Sequence, residues 1–477
     1  MTKFLYTLLF TTLFLHLQAQ QLVSYEYKGS FTLAELQADY GFFMQNGVDM
    51  YKVTYTTPDI MGVQDTASGL VVLPVREEKL AYPLLCYQHG TVNSKTDVPS
   101  NLQGGYELAV VFGGVGYVTA AADFLGLGEA RGFHPYVHAD TEASAAIDML
   151  FAVRDELTEE LDFQLNDQVF VTGYSQGGHA AMAAHRSLQQ DYADDFTVTA
   201  AAPMSGPYSI STVFKPFVEA EIEYFFPSYI AYTMLSYDLA YDLFDSIEQY
   251  FKTPYSLVIQ QFRDGDITLG TCNTVLIAQL ENTVGQSIPR AMFQDSVINS
   301  IVNDPMHPTN VALDDNNVFE WVPDAPTRLF YCMADDQVPF RNSVVADSVM
   351  NANGAIDVLA TDVNSAADHG GCVEPATVQT VLFFGQFQEL NPVNVGAVVA
   401  EDHFSVYPNP TSDVLWLENI APRSRVQVLD ASGKILLDQL SEESVTQLSL
   451  NGFAKGLYLV RVIDGKGGAR VRRFVKE

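Results

Sequence analysis

The stretch Gln168-Val-Phe-Val-Thr-Gly173-Tyr174-Ser175-Gln176-Gly177-Gly178-His179-Ala-Ala-Met-Ala-Ala184 reads as a strand, a sharp turn and a helix. Val169, Phe170, Val171 and Thr172 are β-branched or aromatic and suit a buried strand. After Gly178 the chain turns to Ala and Met, which favour helix. Between them lies a G-x-S-x-G, Gly173 to Gly177. A serine held on a tight strand-to-helix turn projects its hydroxyl, and the flanking positions must be small to clear neighbouring backbone. By composition alone this pentapeptide arises in roughly one chain of this length in six. Its place between a strand and an Ala-rich helix therefore carries the reading, and the rest of the chain must supply a base, an acid and an oxyanion hole.

Working outward, strand-like runs recur on both sides. Met50–Tyr55 and Ala67–Pro74 come first, followed by Tyr82–Tyr87 and Tyr117–Ala122. Beyond the serine lie Phe196–Ala202, Thr327–Met333 and Asp357–Ala360. Helical patterns at Tyr106–Phe112, Thr141–Leu161 and Glu374–Phe387 alternate with them. Alternation from residue 82 onward predicts an α/β protein with a largely parallel sheet. The alternation breaks between about 208 and 325. There Tyr224–Tyr255 holds 11 aromatic residues, against 12% in the chain at large. This insertion reads as a helical cap, its rings facing a substrate, its own core, or both.

The ends have different characters. Residues 1–19 have a basic start, a short apolar run and a small residue at Ala19, as in a secretory signal peptide. Residues 20–390 then form the α/β body and 391–402 read as a linker. Residues 403–477 hold short strand runs separated by turns such as Asp430-Ala-Ser-Gly433, and read as an all-β sandwich module. The charge shifts too: the module carries 10 Lys+Arg and 8 Asp+Glu, net +2, so the rest carries −35 of the chain's −33. So acidic a protein is not expected to bind nucleic acid or anionic membranes. No later run is long enough to span a bilayer.

A serine nucleophile needs a base to take its proton and an acid to orient the base. In this architecture they follow in the order Ser, Asp or Glu, His. His179 and His185 lie on the helix after the serine, His307 precedes the expected acid, and His403 opens the tail. His369 remains, in a loop expected to be flexible. The acid is expected at Asp335, with Asp336 as the alternative, just past the Thr327–Met333 strand. The oxyanion hole is expected from the backbone N–H groups of Gln176 and Thr91, the latter in Gln88-His89-Gly90-Thr91. His89 and Tyr174 are candidate substrate contacts, although His89 also suits a structural role. Asp123 is expected to pin its own loop. A histidine base predicts activity that rises with pH.

There are four cysteines, Cys86, Cys272, Cys332 and Cys372. Cys332 and Cys372 each lie three residues from an expected catalytic position, so the pair Cys332–Cys372 is favoured for a disulfide. Closing that 41-residue loop (372 − 332 + 1) stabilises by about 4 kcal/mol in the chain-entropy model. No CxxC, HExxH or EF-hand spacing appears, and neither metal nor cofactor is expected.

With Gln88-His-Gly-Thr91, Asp123-Phe-Leu-Gly-Leu-Gly128, His134-Pro-Tyr136, Gly173-Tyr-Ser-Gln-Gly-Gly-His179 and His369-Gly-Gly-Cys372 in order, the chain resembles the α/β-hydrolase superfamily. More narrowly it resembles the microbial secretory lipases and esterases, over roughly residues 50–390. The resemblance implies hydrolysis of an ester or lipid substrate, with Ser175, Asp335 and His369 as the triad. The tail, through Phe404-Ser-Val-Tyr-Pro-Asn-Pro-Thr-Ser412 and Gly456-Leu-Tyr-Leu-Val-Arg461, is similar to the sorting module of the type IX secretion system. That likeness implies passage through the type IX machinery and a secreted or cell-surface product. A serine peptidase on the same fold, or a non-catalytic surface binding protein, is the alternative reading.

Overall fold

Strand β4 (Leu80–Gln88) lies inside a ten-stranded sheet because its residues are apolar on both faces and almost all buried. The structure, a computed structural model, describes residues 21–393, 404–430, 434–463 and 469–476. The expected signal peptide, residues 1–19, lies outside them. The other strands are β1 (Leu22–Phe31), β2 (Gly47–Pro58), β3 (Gln64–Val75), β5 (Val118–Ala122), β6 (Gln164–Tyr174), β7 (Val198–Met204), β8 (Thr327–Tyr331), β9 (Val358–Asp362) and β10 (Asn391–Pro392). Their spatial order is β1-β2-β3-β5-β4-β6-β7-β8-β9, with β10 pairing to the start of β4. From β5 to β9 all neighbours are parallel, while β1, β2 and β3 are joined antiparallel. This is the α/β architecture with a largely parallel sheet that the alternation predicts.

Period-two alternation sends side chains to two cores. Cys86, Val169 and Val171 join the helices Ala139–Ala152 and Gln176–Gln190 on one face. Leu85, Tyr87 and Phe170 join the helices Tyr106–Gly114 and His369–Phe384 on the other. The first two residues of the expected linker, Asn391 and Pro392, instead pair with Ala81 and Leu80, and residues 394–402 lie outside the described residues. The closing helix begins at His369, not at Glu374. Gly370, Gly371 and Pro375 obscure its start in the sequence, but Asp368 caps it by accepting from the Gly371 N–H at 2.7 Å. His369 is thus a first-turn helical residue, not part of a flexible loop.

The insertion between β7 and β8 is helical, its longest helices being Pro227–Tyr241 and Leu269–Val284. Tyr224, Tyr232, Tyr237, Phe244, Tyr250, Phe251 and Tyr255 are buried in its core. Most of the aromatic richness therefore serves the cap's own packing.

The chain divides into two units at Pro392 and Val393. The second contains a three-stranded sheet, β11 (Ser405–Tyr407), β12 (Val414–Glu418) and β15 (Val445–Ser449). Its other sheet has four strands, β13 (Arg425–Leu429), β14 (Ile435–Leu440), β16 (Gly456–Ile463) and β17 (Ala469–Lys476). Leu415, Leu417 and Leu448 of one sheet share a core with Val426, Val460 and Phe474 of the other. That is a small antiparallel sandwich.

One buried histidine has a measurable cost. His185, on the helix after the serine, is fully buried edge-on to Trp321, and neither ring nitrogen has a hydrogen-bond partner among the described residues. Burial holds it neutral down to about 3, whereas an unfolded histidine takes its proton near about 6.5. Between those values the unfolded chain binds more protons, so this contribution to stability is whole above pH ~6.5 and declines as pH falls towards 3. His185→Leu should narrow the gap in Tm between pH 7.5 and pH 4.5. Thermal melts at both pH values check this, and an unchanged gap would refute it.

Candidate active site

The turn after β6 is shaped by what cannot fit there. A Cβ on Gly173 would lie 2.2 Å from the Gly177 carbonyl oxygen, and one on Gly177 would lie 2.0 Å from that of Gln88. Glycine is therefore demanded at both sites. Ser175 between them has φ 61° and ψ −123°, a strained conformation for a residue with a side chain. It is 7% exposed and immediately precedes the helix Gln176–Gln190.

The helix that opens at His369 meets the loop after β8. His369 Nδ1 lies 2.7 Å from Asp335 Oδ2. The other Asp335 oxygen accepts from the N–H groups of Gln337 and Val338 at 3.0 and 2.8 Å. Asp336 takes a different post, accepting the His369 backbone N–H at 3.1 Å. Of the two expected acids, Asp335 is the one facing the imidazole. A neutral His369 that donates from Nδ1 leaves Nε2 as a lone pair.

Tyr174 brings the nucleophile turn to this pair. Its hydroxyl donates to the His369 carbonyl at 2.6 Å, and the two rings lie 5.0 Å apart. Tyr174 is 5% exposed, so the expected substrate contact is placed as a brace for His369. The disulfide Cys332–Cys372 ties the same two segments, as the spacing predicts. Cys86 and Cys272 are free and buried.

The loop after β4 lies against the serine. A Cβ on Gly90 would sit 3.6 Å from Ser175 Cβ. Gln176 opens its helix, so its N–H has no acceptor within that helix. Thr91 Oγ1 is 2.9 Å from the Tyr136 hydroxyl. His89 is fully buried, with Nδ1 2.8 Å from the Gly90 carbonyl, Nε2 3.3 Å from that of Asp123, and its ring on Phe124. It holds the loop from inside. Asp123 accepts from Ser68 Oγ at 2.6 Å and the Ser100 N–H at 3.0 Å, and its burial raises its pKa. It pins its loop as expected.

One buried network escapes the sequence reading. His179 Nδ1 lies 2.7 Å from Glu142 Oε2, and its Nε2 is 2.9 Å from the Asn316 carbonyl. Gln176 Nε2 lies 2.8 Å from Glu142 Oε1 and 2.7 Å from His134 Nε2. His134, Glu142, Gln176 and His179 are all nearly inaccessible. The signal was present: Glu142 shares a helical face with Ala145, Met149 and Ala152, where a lone carboxylate demands a buried partner.

Comparisons with known proteins fit this geometry. The esterase LipA of Xanthomonas oryzae, described as rice cell wall degrading, is 26% identical, with a TM-score of 0.68 over 77% of this chain and 97% of that one. A candidate hydrolase from Legionella pneumophila is 29% identical, with a TM-score of 0.69 over 77% and 98%. Lipase A of Candida antarctica shares the fold at 16% identity, with a TM-score of 0.52 over 73% and 77%. No curated protein matches the chain. Residues 405–477 match the secretion system C-terminal sorting domain. The chain therefore has an α/β-hydrolase fold resembling esterases and lipases, with a module that marks it for secretion.

Proposed function

We propose that the protein is a serine carboxylester hydrolase exported by the type IX system and acting outside the cell. The observations that carry this reading are the strained turn at Ser175, the hydrogen bond from its neighbour Tyr174 to the His369 carbonyl, and the His369–Asp335 pair. His369 Nε2 takes the Ser175 proton as Oγ attacks the ester carbonyl. The negative charge on the carbonyl oxygen rests on the N–H groups of Gln176 and Thr91, worth about 10²–10³ in rate for one such donor. The alcohol leaves with the proton from His369. Water, activated by the same base, then cleaves the acyl-enzyme.

An apolar cavity lies among the walls of this site. Tyr136, Ile210, Tyr224, Tyr229 and Val338 line it. Tyr136 meets Thr91, and the Val338 N–H donates to Asp335. Its accessible volume is ≈ 20 Å³, little more than the roughly 10–15 Å³ that one water needs. An acyl chain longer than a few carbons that enters this cavity must displace tyrosines held by Gln337: Tyr229 donates to its side chain and Tyr224 to its backbone carbonyl.

The full chain should therefore hydrolyse p-nitrophenyl acetate and butyrate at least about 10-fold faster, in kcat/KM, than the palmitate, since each factor of ten costs only ~1.4 kcal/mol. A serine-directed phosphonate should label it once, at Ser175. Preference for palmitate would mean that the tyrosines open and the protein is a lipase. Peptide cleavage without ester cleavage would replace the esterase reading with a peptidase.

A further inference from the structure

The side chains of the two residues expected to give the oxyanion donors are both bonded to one short segment. Gln176 Nε2 is 2.7 Å from His134 Nε2, and two residues on, the Tyr136 hydroxyl is 2.9 Å from Thr91 Oγ1. His134 Nδ1 faces the Leu125 carbonyl at 2.7 Å, so Nδ1 carries the hydrogen and Nε2 accepts from the Gln176 amide. Burial keeps the ring neutral, down to about 3, as this arrangement requires.

The same segment is gripped by the cap helix Pro227–Tyr241. The Ser236 hydroxyl donates to the His134 carbonyl at 3.1 Å and accepts the Tyr136 N–H at 2.9 Å. The Tyr136 ring stacks on Tyr232 with centroids 4.4 Å apart and planes 6° from parallel. The hydrogen bonds of this segment constrain direction as well as distance. Apolar packing would fill the same space without the cost of burying polar groups.

We infer that His134-Pro135-Tyr136 is a positioning segment that sets the separation of the Gln176 and Thr91 N–H groups and transmits the seat of the cap helix to them. The inference rests on the proposed esterase reading. His134 and Tyr136 do not touch the reacting atoms. They act through residues 176 and 91. An oxyanion donor displaced by a fraction of an ångström stabilises the developing charge less, while ground-state binding of the ester is little altered.

Tyr136→Phe tests this most cleanly, because the ring stack on Tyr232 survives and only the hydroxyl is lost. In the full chain, kcat for p-nitrophenyl butyrate should fall about 10-fold with KM within about 2-fold, a pattern of lost transition-state stabilisation. Affinity for a trifluoromethyl ketone, which forms a tetrahedral adduct on serine, should fall by the same factor. His134→Phe, whose ring suits the aromatic contacts with Phe124, Tyr136 and Tyr232, should act in the same direction and more strongly. Thermal melts identify any loss that is only unfolding: if folded His134→Phe cannot be obtained, Tyr136→Phe decides alone. Values of kcat within about 2-fold of wild type overturn the inference. So does a loss confined to KM with ketone affinity unchanged. If the wild-type chain hydrolyses no ester, the functional proposal itself fails and the inference falls with it. If the wild type is active through Ser175 and the variants match it, the inference alone fails.

Discussion

Ser175→Ala should lower kcat on p-nitrophenyl butyrate by about 10⁵-fold or more, the scale on which loss of the nucleophile alone disables serine hydrolases. The expectation is sharp because the substitution is nearly silent in the fold. Ser175 is 7% exposed, and alanine in its place keeps the same φ of 61° and the same strain. The helix that follows retains the Gly178 N–H bond to the residue 175 carbonyl at 2.8 Å. Thermal stability should therefore stay within a few degrees of wild type while phosphonate labelling disappears. Residual hydrolysis above background would come from the oxyanion donors and water. If the variant kept most of its activity and still labelled elsewhere, Ser175 would not be the nucleophile and the esterase reading would fall.

Ser175, Asp335 and His369 are legible as candidates for different reasons. Ser175 announced itself because the steric demands at residues 173 and 177 are local, and local demands are written in adjacent residues. His369 was reached by chain order, which the α/β-hydrolase sheet imposes. The strand end nominates both Asp335 and Asp336, and what separates them is the 2.7 Å approach of Asp335 Oδ2 to His369 Nδ1, while Asp336 takes the backbone N–H. The Cys332–Cys372 bridge followed from the same two positions. The start of the His369 helix was hidden, since Gly370, Gly371 and Pro375 all oppose helix by propensity, and the cap at Asp368 overrides them. The Glu142–His179 pair was hidden differently. Each residue is ordinary where it stands, and only the packing of helix Ala139–Ala152 against Gln176–Gln190 brings them within 2.7 Å. The aromatic cap was ambiguous in kind, because composition cannot say which way a ring points. Tyr237 and Phe251 point into the cap's own core, whereas Tyr224 and Tyr229 also face the cavity.

Asp335→Asn and Asp336→Asn, two adjacent and chemically identical changes, should differ by about three orders of magnitude. At residue 335 an asparagine carbonyl oxygen still accepts from Gln337 and Val338 as Asp335 Oδ1 does now. Its amide nitrogen then faces His369 Nδ1, where the carboxylate oxygen sits at 2.7 Å. An N–H donor there makes Nδ1 the acceptor and places the imidazole proton on Nε2. That tautomer has no lone pair to offer Ser175, and the rate should fall by about 10⁴, as when the triad carboxylate is made an amide in other serine hydrolases. Among the described residues the carboxylate at 336 accepts only the His369 backbone N–H, at 3.1 Å, a bond that an asparagine oxygen also makes. Asp336→Asn should cost less than about 10-fold, because it leaves the imidazole's tautomer alone. Measuring kcat for both variants separates an orienting carboxylate from the general effect of removing a negative charge beside the base. Equal losses in the two would show that charge alone matters and would remove Asp335 from the triad. A large loss at 336 with little at 335 would exchange their roles.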